Sequence, residues 1–340
     1  MRAKAPARIS PTSSMGATYR EAGVDIEATD RVLSRLKPVI RATHGPEVLP
    51  DLGQFAGLFR LAARRVHDPV LVSSADGVGT KLKLAQQFNA HATIGVDVVA
   101  MNTNDVLTYG ARPLFFLDYL AMGMVRPAIL TQLIRGIARG CQLSGCALLG
   151  GETAQMPGVY SADDYDVAGF CVGMVERDKL IDGSHVQAGD VIVGLASSGV
   201  HANGFSLIRN AVDPSELKAW RHELLRPTRI YVKPVLSVLV RGHVSAIAHV
   251  TGGGLTRRLP SLVAKRPGLR VRWTSGAWPV PQIFQRIQQA GRVDLDEMYA
   301  TFNMGIGMAL VCRKPHAASL IRSMGRVGIQ AWVIGRIEPK

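Results

Sequence analysis

The chain has 340 residues, 47% of them hydrophobic, and a formal net charge of +14. This is enough to bury the cores of two domains, and no apolar run is long enough to cross a bilayer. Four cysteines without a C-x-x-C pair argue against a disulfide scaffold and against structural zinc, and leave buried thiols of a reduced, cytoplasmic protein.

The charge is uneven. Residues 1–176 hold 17 Lys/Arg against 16 Asp/Glu, and residues 177–340 hold 23 against 10. A basic half suits anionic ligands or nucleic acid. Its cations are scattered, with no run of five and no interleaved aromatics, which speaks against nucleic acid and for a solvated face beside an anionic substrate.

Residues 1–17 are small, basic and Pro/Ser-rich, without an apolar face or a secretory h-region, and read as a flexible extension. A helix follows, capped by Asp30, with Val32, Leu33, Leu36, Val39 and Ile40 on one stripe, and Pro38 should end or kink it. Lys37 precedes that proline. LGQFAGLFRLA reads as a glycine-bracketed strand. Another strand, VLVSS, leads to the Gly-rich turn DGVGTK from Asp76 to Lys81. Gly77 and Gly79 permit a tight turn and close approach of a ligand, and backbone N–H groups with a lysine suit phosphate oxygens. Spaced aspartates, Asp76, Asp97 and Asp105, suit Mg²⁺. The alternative is a plain turn with solvated acids.

VVAMNTNDVLTYGA reads as a helix, and the eight-residue spacing is expected to turn Asp97 and Asp105 toward one pocket. A buried strand RPLFFLDYLAMG, a helix from Pro127 to Gly145, a strand running into the Gly-rich loop GGETAQMPG, and a strand DYDVAGFCVGMV complete the first half. The second half offers the strand VIVGLA and the polar loop SSGVHANG. LLRPTRIYVKPVLSVL reads as a strand or the entry to a helix, and a strand, AIAHV, enters TGGG. WPVPQIFQRIQQAG is helical, while MYATFNMGIGMALVC and AWVIGRI read as strands around a last helix. Strands and helices alternate throughout, so the class is mixed α/β.

In order, YREAGVDI, DGVGTK, Asp105-VLTY-GARP, PLFFLDY, GGETAQMPG, YDVAGFCVG, PTRIYVKP, HVTGGGL and EMYATFNMGIGM resemble the phosphoribosylformylglycinamidine cyclo-ligase (aminoimidazole ribonucleotide synthetase) family, over about Tyr19 to Ile337. The resemblance implies two α/β domains, residues 18–176 for ATP, Mg²⁺ and dimerisation and 177–340 for substrate, with homodimers formed through the N-terminal sheets. It implies ATP-dependent closure of formylglycinamidine ribonucleotide to aminoimidazole ribonucleotide, releasing ADP and phosphate, in the cytoplasm. By position it assigns catalysis to Asp76, Lys81, Asp105, Glu152 and His201, and metal binding to Asp76, Asp97 and Asp105. ATP falls to Lys37, Gly77, Gly79, Thr80, Lys81 and Asn104. Substrate falls to His201, Asn203, Gly204, His249, Thr251, Gly252, Gly253 and Gly254. His249 has a second reading as a satisfied core histidine, and Asn104 as a backbone cap.

The chain departs from the family pattern at Ala75, Tyr109, Arg112, Gln155 and Met304, and lacks a stretch before the PTRIY segment. Arg112 and Gln155 change the charge where the pattern has glutamate. Gln155 is expected to be the consequential one, because Glu152 shares its loop. A divergent paralogue acting on a related formamide or phosphate acceptor is the alternative function, and a non-catalytic scaffold a further one.

Overall fold

The computed structural model describes residues 18–50, 56–61 and 67–340. The expected extension, residues 1–17, lies outside them, as do parts of the strand expected over Leu52–Ala62; within that stretch Phe59 forms one antiparallel bridge to Val48.

The chain opens with α1 (Ile26–Arg41). Its cap is Asp25, not Asp30: the Asp25 carboxylate accepts the Ala28 N–H at 2.9 Å. The helix also runs through Pro38. Proline removes the N–H that would serve the Ser34 carbonyl, but Ser34 and Pro38 are both exposed, where water serves it instead.

Strands β1 (Pro69–Gly77), β2 (Arg112–Met122), β3 (Ala147–Gln155) and β4 (Tyr165–Glu176) form a sheet in the order β1-β4-β2-β3. β4 runs antiparallel to both neighbours, and β2 and β3 are parallel. A parallel pair needs a crossover, supplied by α4 (Pro127–Ser144). The short α2 (Lys81–Gln87) leads into α3 (His91–Leu107), which is buried between the sheet and α4. The helices cross closely: a Cβ on Gly95 would lie 2.3 Å from the Leu133 carbonyl oxygen, and one on Gly136 2.1 Å from that of Ala92. The GGET segment is strand, not loop. It pairs with β2 through Gln155, with an irregularity at Leu149. Helices α1, α3 and α4 cover one face of this sheet; on the other, Leu71, Tyr119 and Phe170 are exposed.

The second half contains α5 (Phe205–Ala211), α6 (Pro214–Leu224), α7 (Val232–Leu239), α8 (Gly254–Arg258), α9 (Gln282–Gly291), α10 (Leu295–Thr301) and α11 (Lys314–Arg326). Strands β5 (Val191–Ala196), β6 (Val244–His249), β7 (Leu269–Trp273), β8 (Ile306–Cys312) and β9 (Ala331–Pro339) make an antiparallel sheet in the order β6-β8-β5-β9-β7. Val235, Leu320 and Met324 pack on one face with Val193 and Leu310. Leu255, Phe284 and Met298 join the other with Ile192 and Ala248. The strand expected from Met298 is helix α10 as far as Thr301, because Asp294 precedes a turn rich in acids and Met298 and Tyr299 are buried; only Ile306–Cys312 is strand.

Gln155 ties α1 to this frame. Its amide accepts the Asp25 N–H at 2.8 Å and donates to the Asp25 carbonyl at 2.9 Å and to Thr29 Oγ1 at 3.0 Å. The expectation that it tunes metal or substrate is replaced by this clamp on the N-terminus of α1. Gln155→Glu loses both donations and sets a carboxylate against a carbonyl. We expect a loss of about 1–3 kcal/mol in urea unfolding with the KM for ATP unchanged; unaltered stability with a shifted Mg²⁺ requirement would restore the electrostatic role.

Candidate active site

The site is built where β1 and α3 of the first half meet β6 of the second. Along β1, Val70, Val72, Ser74 and Asp76 alternate toward the helix-covered face. Asn102 of α3 pins the end of that strand, donating to the Asp76 carbonyl at 3.1 Å and accepting from Ser74 Oγ at 3.3 Å. Asp76 is half-buried, and its Oδ1 accepts the Gly77 N–H at 2.8 Å. Burial raises its pKa; the Gly77 bond opposes this, the Asp105 charge reinforces it, and His249 and Arg258 oppose it. The charges of Asp105 and Arg258 are thus felt at Asp76.

Asp105 stands in the last turn of α3, 40% exposed, and His249 ends β6. The imidazole Nδ1 lies 2.8 Å from Asp105 Oδ1 and Nε2 lies 3.4 Å from the Asn104 amide nitrogen. One tautomer satisfies both: Nδ1–H donates to the carboxylate and Nε2 accepts from Asn104. A residue from each half thus orients the other across the junction.

The remaining predicted residues divide. Gly79 and Thr80 are exposed beside this cleft, and Thr80 Oγ1 is 2.9 Å from Ser206 Oγ in α5. In the T-G-G-G segment Thr251 is buried, Gly252 is exposed, and a Cβ on Gly252 would lie 3.6 Å from the Asn203 amide, so these two lie side by side. Gly254 serves packing instead: its φ is +56° and a Cβ there would lie 2.2 Å from the Tyr299 carbonyl oxygen. Gly253 lies under Arg257, and Gly204 opens α5 against Phe302.

Lys81, expected to neutralise phosphate charge, is fully buried. Its Nζ is 2.7 Å from Asp97 Oδ2 and donates to the Arg226 carbonyl at 2.9 Å. Asp97, expected to ligate metal, is also fully buried, and its Oδ1 accepts the Thr228 N–H at 2.7 Å and the Thr228 hydroxyl at 2.6 Å. Eight residues at 100° each leave Asp97 about 80° around the helix from Asp105, so the two face different partners. Asn104, expected to touch nucleotide, follows its second reading: it donates to the Arg229 carbonyl at 2.9 Å and accepts the Tyr231 N–H at 2.9 Å.

His201 is also turned inward. Its φ of +65° is unusual for a side chain with a Cβ, its Nε2 accepts the Ser198 N–H at 3.1 Å, and its buried Nδ1 has no partner among the described residues. Burial holds its pKa well below the ordinary value, with the charges of His249, Lys81 and Arg229 acting the same way, so the ring is neutral. It braces its loop rather than presenting a catalytic group. Lys37 is exposed on α1, which packs chiefly on α4.

Glu152 lies on β3 opposite Tyr119. Since β4 and β2 stand between β1 and β3, it is roughly 14 Å across the sheet from the Asp76 strand. Between them lies a titratable residue that sequence reasoning passed over within FFLDY. Asp118 shares the cross-strand row of Gly169 with Asp76, and burial, with help from Glu152, pushes its carboxyl up to about 7. Only its place on the inward face of an apolar strand signals it.

A large hollow elsewhere, about 1180 Å³, is lined by Phe59, Arg112, Leu114, Met174, Ile181 and Leu239. It sits at the opposite end of the first sheet from Asp76, seven residues of β1 or roughly 23 Å away, and is mostly apolar; the polar chemistry lies at the Asp76 end.

A family model described as AIR synthase related protein, N-terminal domain, matches residues 55–175, and its C-terminal-domain counterpart matches residues 187–340. The chain belongs to the AIR synthase related family. Proteins named phosphoribosylformylglycinamidine cyclo-ligase are similar over nearly the whole length: 50% identity with that of Pseudothermotoga lettingae, covering 96% of this chain and 98% of the relative, and 49% with that of Brevibacillus brevis, covering 95% and 96%. Among solved structures, thiamine-monophosphate kinase from Stenotrophomonas maltophilia superposes with a TM-score of 0.67 at 19% identity, covering 92% of this chain and 93% of that one. Hydrogenase maturation protein HypE in complex with ATP gives 0.66 at 16%, covering 92% and 86%. At such identities the likeness shows the fold alone.

For an AIR synthase related chain, the buried Lys81–Asp97 pair makes a clear demand. Removing one partner strands the other charge in the core. We expect Asp97→Leu alone to lose about 3–5 kcal/mol, and Lys81→Met with Asp97→Leu to recover much of it, read by chemical denaturation. Equal stability for the single variant and wild type would place the pair in solvent.

Proposed function

We infer that this protein is an ATP-dependent cyclo-ligase that converts formylglycinamidine ribonucleotide to aminoimidazole ribonucleotide, a purine-biosynthetic step of the cytoplasm. The observation that carries the reading is the 45–50% identity to cyclo-ligases over about 95% of the chain. ATP phosphorylates the formyl oxygen, the amidine nitrogen attacks the activated carbon, and the oxygen leaves as phosphate, with ADP as the other product.

The chain's contribution is positioning and charge. Asp76 and Asp105 form a hard-oxygen pair whose mutual repulsion invites a cation. Among the described residues no three His, Cys, Asp or Glu side chains are placed to hold a metal by themselves. Mg²⁺ takes one or two carboxylates and completes its shell with water and phosphate oxygens. Bound there, Mg²⁺ would offset charge on the transferred phosphoryl group. His249 fixes the orientation of Asp105, Thr80 and Gly79 lie open at the ATP side, and Asn203 with Gly252 lines the side assigned to the ribotide. Residues 18–176 form the nucleotide-binding half of this scheme and residues 177–340 the substrate half.

Asp105→Asn keeps the size and the His249 contact while removing the charge. We expect at least a 100-fold loss of ADP release in the presence of both substrates, with an unchanged melting temperature. Near-normal turnover at limiting Mg²⁺ would remove the metal role, and failure of the wild-type gene to support growth of a purine auxotroph lacking the cyclo-ligase would remove the reading itself.

A second copy of the chain is the proposed cover for the exposed face of the first sheet. Leu71 and Phe170 are 57% and 44% exposed there, an apolar surface that one-sided helix packing leaves unshielded. Light scattering should give a dimer for wild type and a monomer for Leu71→Glu with Phe170→Glu; a monomeric wild type would end the proposal.

A further inference from the structure

Six of the seventeen arginines in residues 177–340 pair with a carboxylate, Arg177 with Asp68 among them. Arg270, Arg272 and Arg336 share Glu338, Arg286 pairs with Glu223 and Arg313 with Asp190. Arg257 and Arg258 are two of the exposed arginines without a carboxylate within salt-bridge distance among the described residues, and their place beside the glycine loop sets them apart. They follow the T-G-G-G segment in α8, and helical side chains lean toward the helix N-terminus. Both accordingly lie back over the glycines. The stem of Arg257 lies so close over Gly253 that a Cβ there would be 2.7 Å from its Cδ. Arg258 donates from Nε to the Gly252 carbonyl at 3.0 Å, a bond that uses neither terminal nitrogen of the guanidinium.

This tether sets Arg258 beside Gly252, the neighbour of Asn203, and near enough to Asp76 for its charge to be felt there. The cleft must accept phosphate groups past two carboxylates. A cation on those carboxylates answers part of that repulsion, and an unpaired guanidinium on the facing loop answers the rest. Planar guanidinium also matches phosphate in a two-pronged geometry that lysine does not.

We propose that Arg258, flanked by Arg257, binds a phosphate group of the ligand in the Asp76–Asp105 cleft. The proposal rests on the cyclo-ligase reading for the identity of that ligand, which brings phosphate from two sources, the ribotide monophosphate and the ATP chain. The guanidinium acts in binding and takes no part in bond making.

Calorimetric titration of ribose 5-phosphate and of Mg²⁺·ADP, with wild type, Arg258→Ala, Arg258→Lys and the remote control Arg270→Gln, separates the sources. We expect Arg258→Ala to weaken at least one of the two ligands tenfold or more, Arg258→Lys to recover part of the loss, and Arg270→Gln to stay within twofold. In steady state the KM of the matching substrate should rise while kcat stays within about threefold. The ligand that weakens names the phosphate. Affinities unchanged within twofold for both ligands, or wild type that binds neither, would overturn the proposal. So would a lowered melting temperature and kcat at constant KM, which would reduce Arg258 to a clip on Gly252. Wild type that binds these ligands but does not cyclise the ribotide would sink the cyclo-ligase reading and leave the arginine assignment standing.

Discussion

The buried Lys81–Asp97 pair of the first half holds the two halves in register through its bonds to Arg226 and Thr228 of the second. Two opposite charges with no exposed surface are costly to desolvate, and such a pair is tolerated only when the remaining polar atoms are also served. Asp97 Oδ1 takes two hydrogen bonds from Thr228 and Lys81 gives one to the Arg226 carbonyl, while the buried Asp97 Oδ2 is met by the Lys81 charge alone, 2.7 Å away. The loop 226–231 is thereby stitched to α2 and α3. Asn104 continues the seam through Arg229 and Tyr231, and the next residue in α3 is Asp105. The position of Asp105 relative to His249 follows from a pair buried in the core.

Much of the frame was legible from periodicity. The strand that delivers Asp76, the apolar β2, the α4 crossover and the strand–glycine–helix order of the second half are local patterns of side chains against a core. The active-site assignments were less legible, because a motif fixes residue type and not direction. DGVGTK contains an exposed Thr80 and a buried Lys81 one residue apart, and the outcome depends on Asp97 lying behind the turn. His201 and Asn203, two apart in one loop, likewise face opposite ways. GGET looks like a loop by composition, yet its register with β2 makes it strand; glycine there accommodates Asp118, since a Cβ on Gly151 would lie 2.4 Å from the Asp118 carboxylate. The passage of α1 through Pro38 was hidden because the cost of a missing N–H depends on whether the orphaned carbonyl meets water.

The surplus charge of the second half has a structural distribution that composition does not reveal. Several arginines gather on the outer strands β7 and β9 around one Glu338, where solvent screening makes each pair worth little. Charge at the cleft is sparser and less balanced. Lys81 is paired in the core, so the arginine charge felt at Asp76 is that of Arg258 beside the glycine loop. A site assembled in this way depends on a few unpaired groups, and it responds more to where a charge is placed than to the total.

The departures from the family pattern can be weighed by the same measure. Ala75 lies on the exposed face of β1, away from the helices. Met304 is buried, and its carbonyl accepts the Trp278 indole N–H at 2.9 Å. Gln155 is occupied in holding Asp25. Arg112 carries the largest formal change, yet it pairs with Met174 while Asp76 pairs with Gly169, five residues apart along β4 or roughly 17 Å. At an effective dielectric near 20 a unit charge at that distance is worth about 1 kcal/mol, and Arg112 is exposed, so screening beyond a Debye length of about 8 Å removes most of it. None of these four substitutions therefore changes the groups that meet at Asp76, Asp105 and His249. The case for a paralogue with altered chemistry rested on changes of charge that the fold directs away from the cleft, and the chemistry expected of the chain is that of its cyclo-ligase relatives.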